Sequence, residues 1–146
     1  MMRYQTIAQS VAIVAAVACS VVLLSAQDHP AAAGAHRHPE AEKVKNPVAA
    51  DATSIAAGQK LYDKNCASCH GAAGKGDGKM GAELNPKPSD LTDADLKHGS
   101  SDGELFKVLA EGVKNTAMRT YKSKITEHEL WEVVNYVRSL GPKKSH

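Results

Sequence analysis

Apolar and polar residues divide the chain into three regions. Residues 11–26 are apolar apart from Ser20 and Ser25, and residues 27–53 are rich in Ala, Pro and charged residues with no apolar periodicity. From Ser54 onward, apolar residues recur every three or four positions, which is the spacing of one helix face. The pattern therefore predicts an N-terminal segment over residues 1–26, a flexible linker over residues 27–53 and a folded domain over residues 54–146.

The folded domain begins with a predicted helix over residues 54–65. Ser54 is a suitable N-cap residue, and Ile55, Leu61 and Tyr62 share one face with Gly58. A glycine inside a helix costs about 1 kcal/mol relative to alanine. We therefore expect Gly58 to permit the close approach of a second helix.

Two further helices are marked by capping boxes, in which a Ser or Thr precedes a Glu by three positions. The first box, Ser101–Glu104, opens a helix that should end at Gly112. The second box, Thr126–Glu129, opens a helix that should end at Gly141, which Pro142 follows.

The stretch between the first two of these helices contains mostly loop signals. Five glycines occur within residues 71–81, and two prolines follow at Pro86 and Pro88. A short helix is predicted over residues 92–98. Because no segment has the alternation of a strand, the expected fold class is all-α, with about four helices.

The N-terminal segment has the order of a secretory signal peptide, with the basic residue Arg3 followed by an apolar run and small residues. The run is also about as long as a membrane-spanning helix requires. A cleaved signal and an uncleaved anchor both remain open, and either places the domain outside the cytoplasm. The linker histidines His29, His36 and His38 are expected to be solvated.

Composition suggests that the small domain needs a prosthetic group to fill its core. The chain contains one phenylalanine, Phe106, and one tryptophan, Trp131. A domain of this size with so few large aromatic residues buries little apolar surface by itself. The net charge of +2 does not indicate a nucleic-acid-binding protein.

Two of the three cysteines form the motif Cys66-Ala67-Ser68-Cys69-His70. Two thiols at this spacing can each add to one vinyl group of heme, and the adjacent histidine then faces the iron; this is the signature of c-type heme attachment. A redox-active dithiol would need a βαβ context, and a zinc site would need a second pair of ligands. We therefore predict one covalent heme c on Cys66 and Cys69, with His70 as an iron ligand.

A second axial ligand can be sought among four side chains: Met80, Met118, His98 and His128. Met80 follows His70 too soon to reach the opposite heme face, and both histidines are expected to face solvent. Met118 lies in a polar loop between two helices, so we predict His70/Met118 ligation. A thioether ligand favours ferrous iron, and two occupied coordination positions suit electron transfer.

The pattern from Ser54 to Leu140 resembles the class I c-type cytochromes, particularly the small bacterial electron carriers with one heme. The resemblance is carried by the heme motif with residues 58–62 before it, by residues 85–91 and 103–106, by residues 116–118 and by residues 131–140. It implies the cytochrome c fold, in which the first and last helices cross, here with Gly58 and Tyr62 against the face that bears Tyr136.

The same resemblance implies that a proline carbonyl accepts a hydrogen bond from the proximal imidazole, which orients the ring. Pro88 is the expected residue, and Pro86 is the alternative. One departure from the family pattern is Arg119, which stands after Met118 where the family often has proline. Without that stiff residue we expect a looser Met118 loop.

These observations predict an electron carrier in the periplasm, soluble or tethered to the inner membrane, that serves a redox donor and acceptor and catalyses no reaction. A membrane respiratory complex is one possible setting. The basic residues near Met118 either form a docking ring for an acidic partner or are scattered solvated side chains, and they are Lys107, Lys114, Arg119, Lys122 and Lys124. A gas sensor or a peroxide-reactive heme protein with a labile distal ligand is the alternative.

Overall fold

The computed structural model of the protein describes residues 38–141. The expected signal peptide or anchor, the linker residues 27–37 with His29 and His36, and residues 142–146 lie outside the described residues. Between residues 38 and 141, no helix combines the length and apolar character that crossing a bilayer requires.

The described residues form four α-helices and one short 3-10 helix, and no β-strand occurs among them. In chain order the elements are α1 (Ala52–Asn65), α2 (Ala67–His70), the 3-10 helix Gly81–Glu83, α3 (Asp102–Glu111) and α4 (Glu127–Leu140). This architecture confirms the expected all-α fold class.

The short helix predicted over residues 92–98 does not form, and this stretch consists of turns. A helix over residues 92–98 would direct the Leu96 amide to the Thr92 carbonyl. The Leu96 amide instead donates to the Ser100 hydroxyl at 2.8 Å. Such local hydrogen bonds compete with helix formation.

Both predicted capping boxes are confirmed, at Ser101–Glu104 for α3 and at Thr126–Glu129 for α4. The predicted start of α1 was two residues late. Asp51 caps this helix by accepting the Ser54 amide at 2.8 Å. The Ser54 side chain is instead buried and donates to the Ala49 carbonyl at 2.6 Å.

The first and last long helices cross at Gly58, as the sequence led us to expect. A β-carbon at this position would overlap the Glu132 carbonyl oxygen of α4 and would lie 3.1 Å from the β-carbon of Tyr136. The rings of Tyr62 and Tyr136 pack beside the crossing with centroids 5.0 Å apart. Gly58 therefore fixes how closely α1 and α4 approach, and these helices hold one side of the domain together.

The core continues from α4 to α3, where the rings of Phe106 and Trp131 stack with centroids 4.0 Å apart. Leu130 and Val134 of α4 are almost fully buried. The two most bulky apolar rings of the domain thus pack against each other, while the remaining inner faces of α1, α3 and α4 surround a cavity.

Residues 38–51 pack on the domain, which differs from the expectation of a free linker over this stretch. Ala41 is buried, with its carbonyl oxygen against Gly103 of α3. The Asn46 amide donates to the Asn135 side chain at 2.8 Å and to the Trp131 carbonyl at 3.0 Å. Specific polar contacts with α4, rather than apolar periodicity, hold this segment in place.

Candidate heme site

A cavity opens between α1, α3, α4 and the loops that join them, and it encloses about 1240 Å³ when its open mouth is counted. Its walls include Leu105 and Val108 of α3 and Val133, Val134 and Val137 of α4. The cavity therefore has the apolar lining that a flat macrocycle requires.

The cysteine motif lies where α1 ends and α2 begins. Cys66, Cys69 and His70 all line the cavity, and the two cysteines are not joined in a disulfide. Burial, with a smaller contribution from Cys69, raises the pKa of the Cys66 thiol to about 11. Both thiols thus face the space in which vinyl groups would have to lie for thioether formation.

The glycine-rich loop folds back against α2 and fixes the motif. The Met80 amide donates to the Ser68 carbonyl at 2.9 Å, and the Gly78 amide donates to the Cys69 carbonyl at 3.2 Å. A β-carbon on Gly78 would lie only 2.5 Å from the Ser68 carbonyl oxygen. Because Gly78 has no side chain, the loop can come close enough to α2 to donate hydrogen bonds to its carbonyls.

The His70 imidazole is held by a backbone carbonyl, but the residue differs from the expected one. Its Nδ1 atom lies 3.2 Å from the Ser89 carbonyl oxygen, whereas the Pro88 carbonyl faces Gly76. The Leu91 amide donates to Gly74 at 2.6 Å, and this bond anchors the turn that aims Ser89 at the ring. Pro88 contributes as part of the cavity wall.

The hydrogen bond to Ser89 also determines which ring nitrogen of His70 can face the cavity. When Nδ1 donates its proton to the carbonyl, Nε2 carries the free lone pair that binds a metal. Burial lowers the pKa of His70, and the bond to Ser89 partly offsets that effect. The neutral form of the imidazole, which is the form that ligates iron, is therefore favoured.

Met118 lines the same cavity as His70, in a loop that hydrogen bonds hold at several points. Val113 donates its amide to the Met118 carbonyl at 2.9 Å, and the Met118 amide donates to the Thr116 hydroxyl at 3.1 Å. Tyr121 donates its amide to Leu109 at 2.9 Å. These bonds restrain the loop despite the absence of proline after Met118.

The other three candidate ligands differ in position. Met80 is 62% exposed, and the His128 side chain is exposed and lies 3.5 Å from the Glu132 carboxylate. Neither lines the cavity. His98, which the sequence led us to place in solvent, is half-buried and lines the cavity wall.

Tyr121 is a cavity residue that the sequence analysis did not identify. Its hydroxyl donates to the Asn65 carbonyl at 2.9 Å, immediately before Cys66, so it ties the Met118 loop to the attachment segment. Burial raises the pKa of this phenol. A lone tyrosine three residues after a methionine carries no distinctive pattern, and only the tertiary fold reveals its contact.

The arrangement fits covalently attached heme. Two cysteines, an oriented imidazole and a methionine all line one apolar cavity. When bound, heme supplies an iron that alternates between the ferric and ferrous states. Cys66 and Cys69 would attach the ring, and His70 and Met118 would offer ligands to the iron.

Several known proteins resemble this chain. Cbb3-type cytochrome c oxidase subunit FixP of Bradyrhizobium diazoefficiens is 32% identical over 89 residues, which are 61% of this chain and 28% of that subunit. The chain therefore spans less than a third of the length of this relative. A chain of the Kuenenia stuttgartiensis reducing HAO-like protein complex Kustc0457/Kustc0458 aligns with a TM-score of 0.62 at 30% identity, covering 66% of this chain and 47% of that one.

Cytochrome cL of Methylophaga aminisulfidivorans aligns with a TM-score of 0.51 at 25% identity, covering 61% of this chain and 54% of that one. The family model described as Cytochrome c matches residues 55–141, from the start of α1 to the end of α4. That span contains the heme motif and every helix that surrounds the cavity. The chain accordingly belongs to the cytochrome c family, whose members bind heme c covalently.

Proposed function

We propose that this domain carries electrons between redox proteins outside the cytoplasm, with His70 and Met118 as the two axial ligands of its heme iron. The observation that carries the proposal is the presence of both side chains in the cavity that also contains Cys66 and Cys69. A protein with both axial positions filled excludes substrates from iron and suits electron transfer rather than catalysis.

The surroundings of Met118 support a permanent ligand rather than a labile one. The 113–121 loop is anchored to α3 through Leu109 and to the attachment segment through Asn65. To move Met118 away from iron, the loop would have to distort these hydrogen bonds. The gas-sensing and peroxide-reactive alternatives require such an opening.

Absorption spectra of the heme-loaded protein test the ligation. We expect low-spin spectra in both oxidation states, a weak sulfur-to-iron band in the ferric state and no rapid reaction of the ferrous state with carbon monoxide. Met118→Ala should lose that band and bind carbon monoxide. Met80→Ala is the matched control, because Met80 is exposed and outside the cavity. Rapid carbon monoxide binding by the wild-type protein would reject the proposal in favour of a sensor or catalyst.

The basic residues near Met118 give a narrower docking surface than the sequence suggested. Lys107 forms an ion pair with Glu40 and lies 3.8 Å from Glu111. Its charge is therefore balanced within the domain and is less available to a docking partner. The other four cations, Lys114, Arg119, Lys122 and Lys124, are exposed, and Lys114 and Arg119 lie on either side of Met118 within its loop. We propose that these two cations attract an acidic redox partner to this side of the domain.

Stopped-flow electron transfer with an acidic partner at increasing salt concentration tests this surface. Replacing Lys114 and Arg119 together by Gln should lower the second-order rate at low salt and flatten its dependence on ionic strength. Lys60→Gln, an exposed lysine on α1, is the control. An unchanged salt dependence in the double variant would exclude these residues from docking.

The resemblance to FixP, a cytochrome c oxidase subunit, supports placing the domain in or beside a membrane respiratory complex. We propose a periplasmic location, either free or held by the N-terminal segment at the outer face of the inner membrane. The mass of the mature N-terminus after export distinguishes the two forms. A mature chain that begins after the apolar run would exclude the tether, while an intact run in a membrane fraction would support it.

A further inference from the structure

We propose that the segment of residues 96–100 binds the heme propionates, with the His98 imidazole and the Lys97 ammonium group as their partners. The ligand chemistry is that of a pair of carboxylates at one edge of the macrocycle. The inference rests on covalent attachment of heme through Cys66 and Cys69, and it does not depend on which side chain is the second axial ligand.

Heme is asymmetric, since its two vinyl groups and its two propionates lie on different edges of the ring. Thioether bonds to Cys66 and Cys69 fix the vinyl edge beside α2. The propionates must then point to the part of the cavity that is remote from the two cysteines. Their partners are therefore the cavity residues that lie farthest from the attachment segment.

The C-terminal end of α3 lies near the attachment segment. The Tyr121 amide donates to the Leu109 carbonyl in the last turn of α3 at 2.9 Å, and the Tyr121 hydroxyl donates to the Asn65 carbonyl at 2.9 Å. Asn65 immediately precedes Cys66. Two hydrogen bonds from one side chain and its backbone thus connect this end of α3 with the site of the thioether bonds.

The N-terminal end of α3 lies beside the proposed segment. Gly99 packs against the Glu104 side chain, in the capping box that opens the helix. A ten-residue helix is about 15 Å long. Because both ends of α3 adjoin cavity residues, residues 96–99 lie roughly one helix length from the end that is tied to the cysteines.

The chemistry of this remote segment suits carboxylates. Lys97 and His98 both line the cavity, with Lys97 exposed at its rim and the Nδ1 atom of His98 shielded from solvent. A carboxylate that leaves water needs hydrogen-bond donors or a positive charge nearby. An imidazole and an ammonium group supply both on adjacent residues.

The segment is also held in a fixed shape. The Leu96 amide donates to the Ser100 hydroxyl at 2.8 Å, and the Gly99 amide donates to the Leu96 carbonyl at 3.0 Å. The Glu104 carboxylate packs nearby but accepts from the Ser101 amide at 3.0 Å and from the Ser101 hydroxyl at 2.9 Å. Its negative charge is thus directed to the helix cap.

Resonance Raman spectroscopy and potentiometry of the heme-loaded protein test the proposal. In His98→Leu and Lys97→Gln, the propionate bending band of the ferrous protein should shift. In Lys97→Gln the midpoint potential should also fall, because loss of the positive charge leaves more net negative charge beside the iron and stabilises the ferric state. His128→Leu and Lys60→Gln change exposed residues outside the cavity and are the matched controls.

Two results would overturn the proposal. One is an unchanged propionate band and potential in both variants with heme covalently attached. The other is loss of the low-spin spectrum in His98→Leu, which would assign His98 to iron. If His98→Leu does not accumulate with heme, His98→Gln retains a donor and should keep the wild-type band, while Lys97→Gln tests the segment independently. The sulfur-to-iron band reports Met118 ligation independently of propionate binding. If these variants retain that band, a change in the propionate band cannot come from loss of the Met118 ligand.

Discussion

The contact between Asn46 and Asn135 offers a sharp test of whether residues 38–51 belong to the folded domain. Asn135 lies on α4 and is 4% exposed. Its amide nitrogen lies 3.2 Å from the Val48 and Ala49 carbonyls and 3.1 Å from the Ser54 hydroxyl. Its oxygen accepts the Asn46 amide at 2.8 Å. The perturbation is Asn135→Ala, alone and combined with Asn46→Ala.

The expected loss in the free energy of unfolding depends on which hydrogen bonds the partners of Asn135 keep in the variant. Four contacts at about 1 kcal/mol each would give about 4 kcal/mol. The Ser54 hydroxyl still donates to Ala49 at 2.6 Å, and Asn46 still donates to the Trp131 carbonyl at 3.0 Å. These remaining bonds reduce the expected loss in the free energy of unfolding for Asn135→Ala to about 2–3 kcal/mol. Asn46 and Asn135 should show a coupling of about 1 kcal/mol in a double-mutant cycle.

Urea unfolding of the heme-loaded protein, followed by far-ultraviolet circular dichroism, provides the assay. Gln59→Ala on the exposed side of α1 is the control and should change the free energy of unfolding by less than about 0.5 kcal/mol. An Asn135→Ala variant as stable as this control would contradict the predicted contribution of Asn135. Additivity of the Asn46 and Asn135 variants within about 0.3 kcal/mol would also contradict it, because residues 38–51 would then contribute no coupled contact.

Two further changes test local features of the helices. Gly58→Ala places a β-carbon against the Glu132 carbonyl. The overpacking cost of roughly 1–3 kcal/mol exceeds the gain in helix propensity of about 1 kcal/mol, so thermal unfolding should show net destabilisation. A variant as stable as the wild-type protein would contradict the tight crossing of α1 and α4. Hydrogen bonds from Thr126 lower the pKa of Glu129 below 4.5. The ionised Glu129 side chain therefore stabilises the folded protein above pH 4.5, and this stabilisation is lost as the pH falls through the lower pKa of Glu129 in the folded state. Urea titrations at several pH values should show that Glu129→Gln loses less free energy of unfolding in acid than the wild-type protein. An unchanged pH profile in the variant would contradict a contribution from Glu129.

Local chemistry determined much of this protein from the sequence alone. The capping boxes at Ser101 and Thr126 were predictable because their partners lie three residues away. The Cys66–His70 motif could also be recognised from the sequence, since its spacing is set by the heme that it binds. Gly58 indicated a helix crossing because a buried helical glycine lowers stability unless a close neighbour requires it.

The tertiary structure decided which of several equivalent groups meets its partner. Ser89 rather than Pro88 faces His70 because backbone rotation sets the direction of each carbonyl, and composition does not record it. Asn46 reaches Asn135 across 89 positions of sequence, so no periodic pattern marks the packed segment. His98 turns toward the cavity because hydrogen bonds between Leu96 and Ser100 bend the chain there. Helix ends and covalent motifs depend on near neighbours and can be inferred from the sequence, whereas loop direction depends on contacts that exist only after the chain has folded.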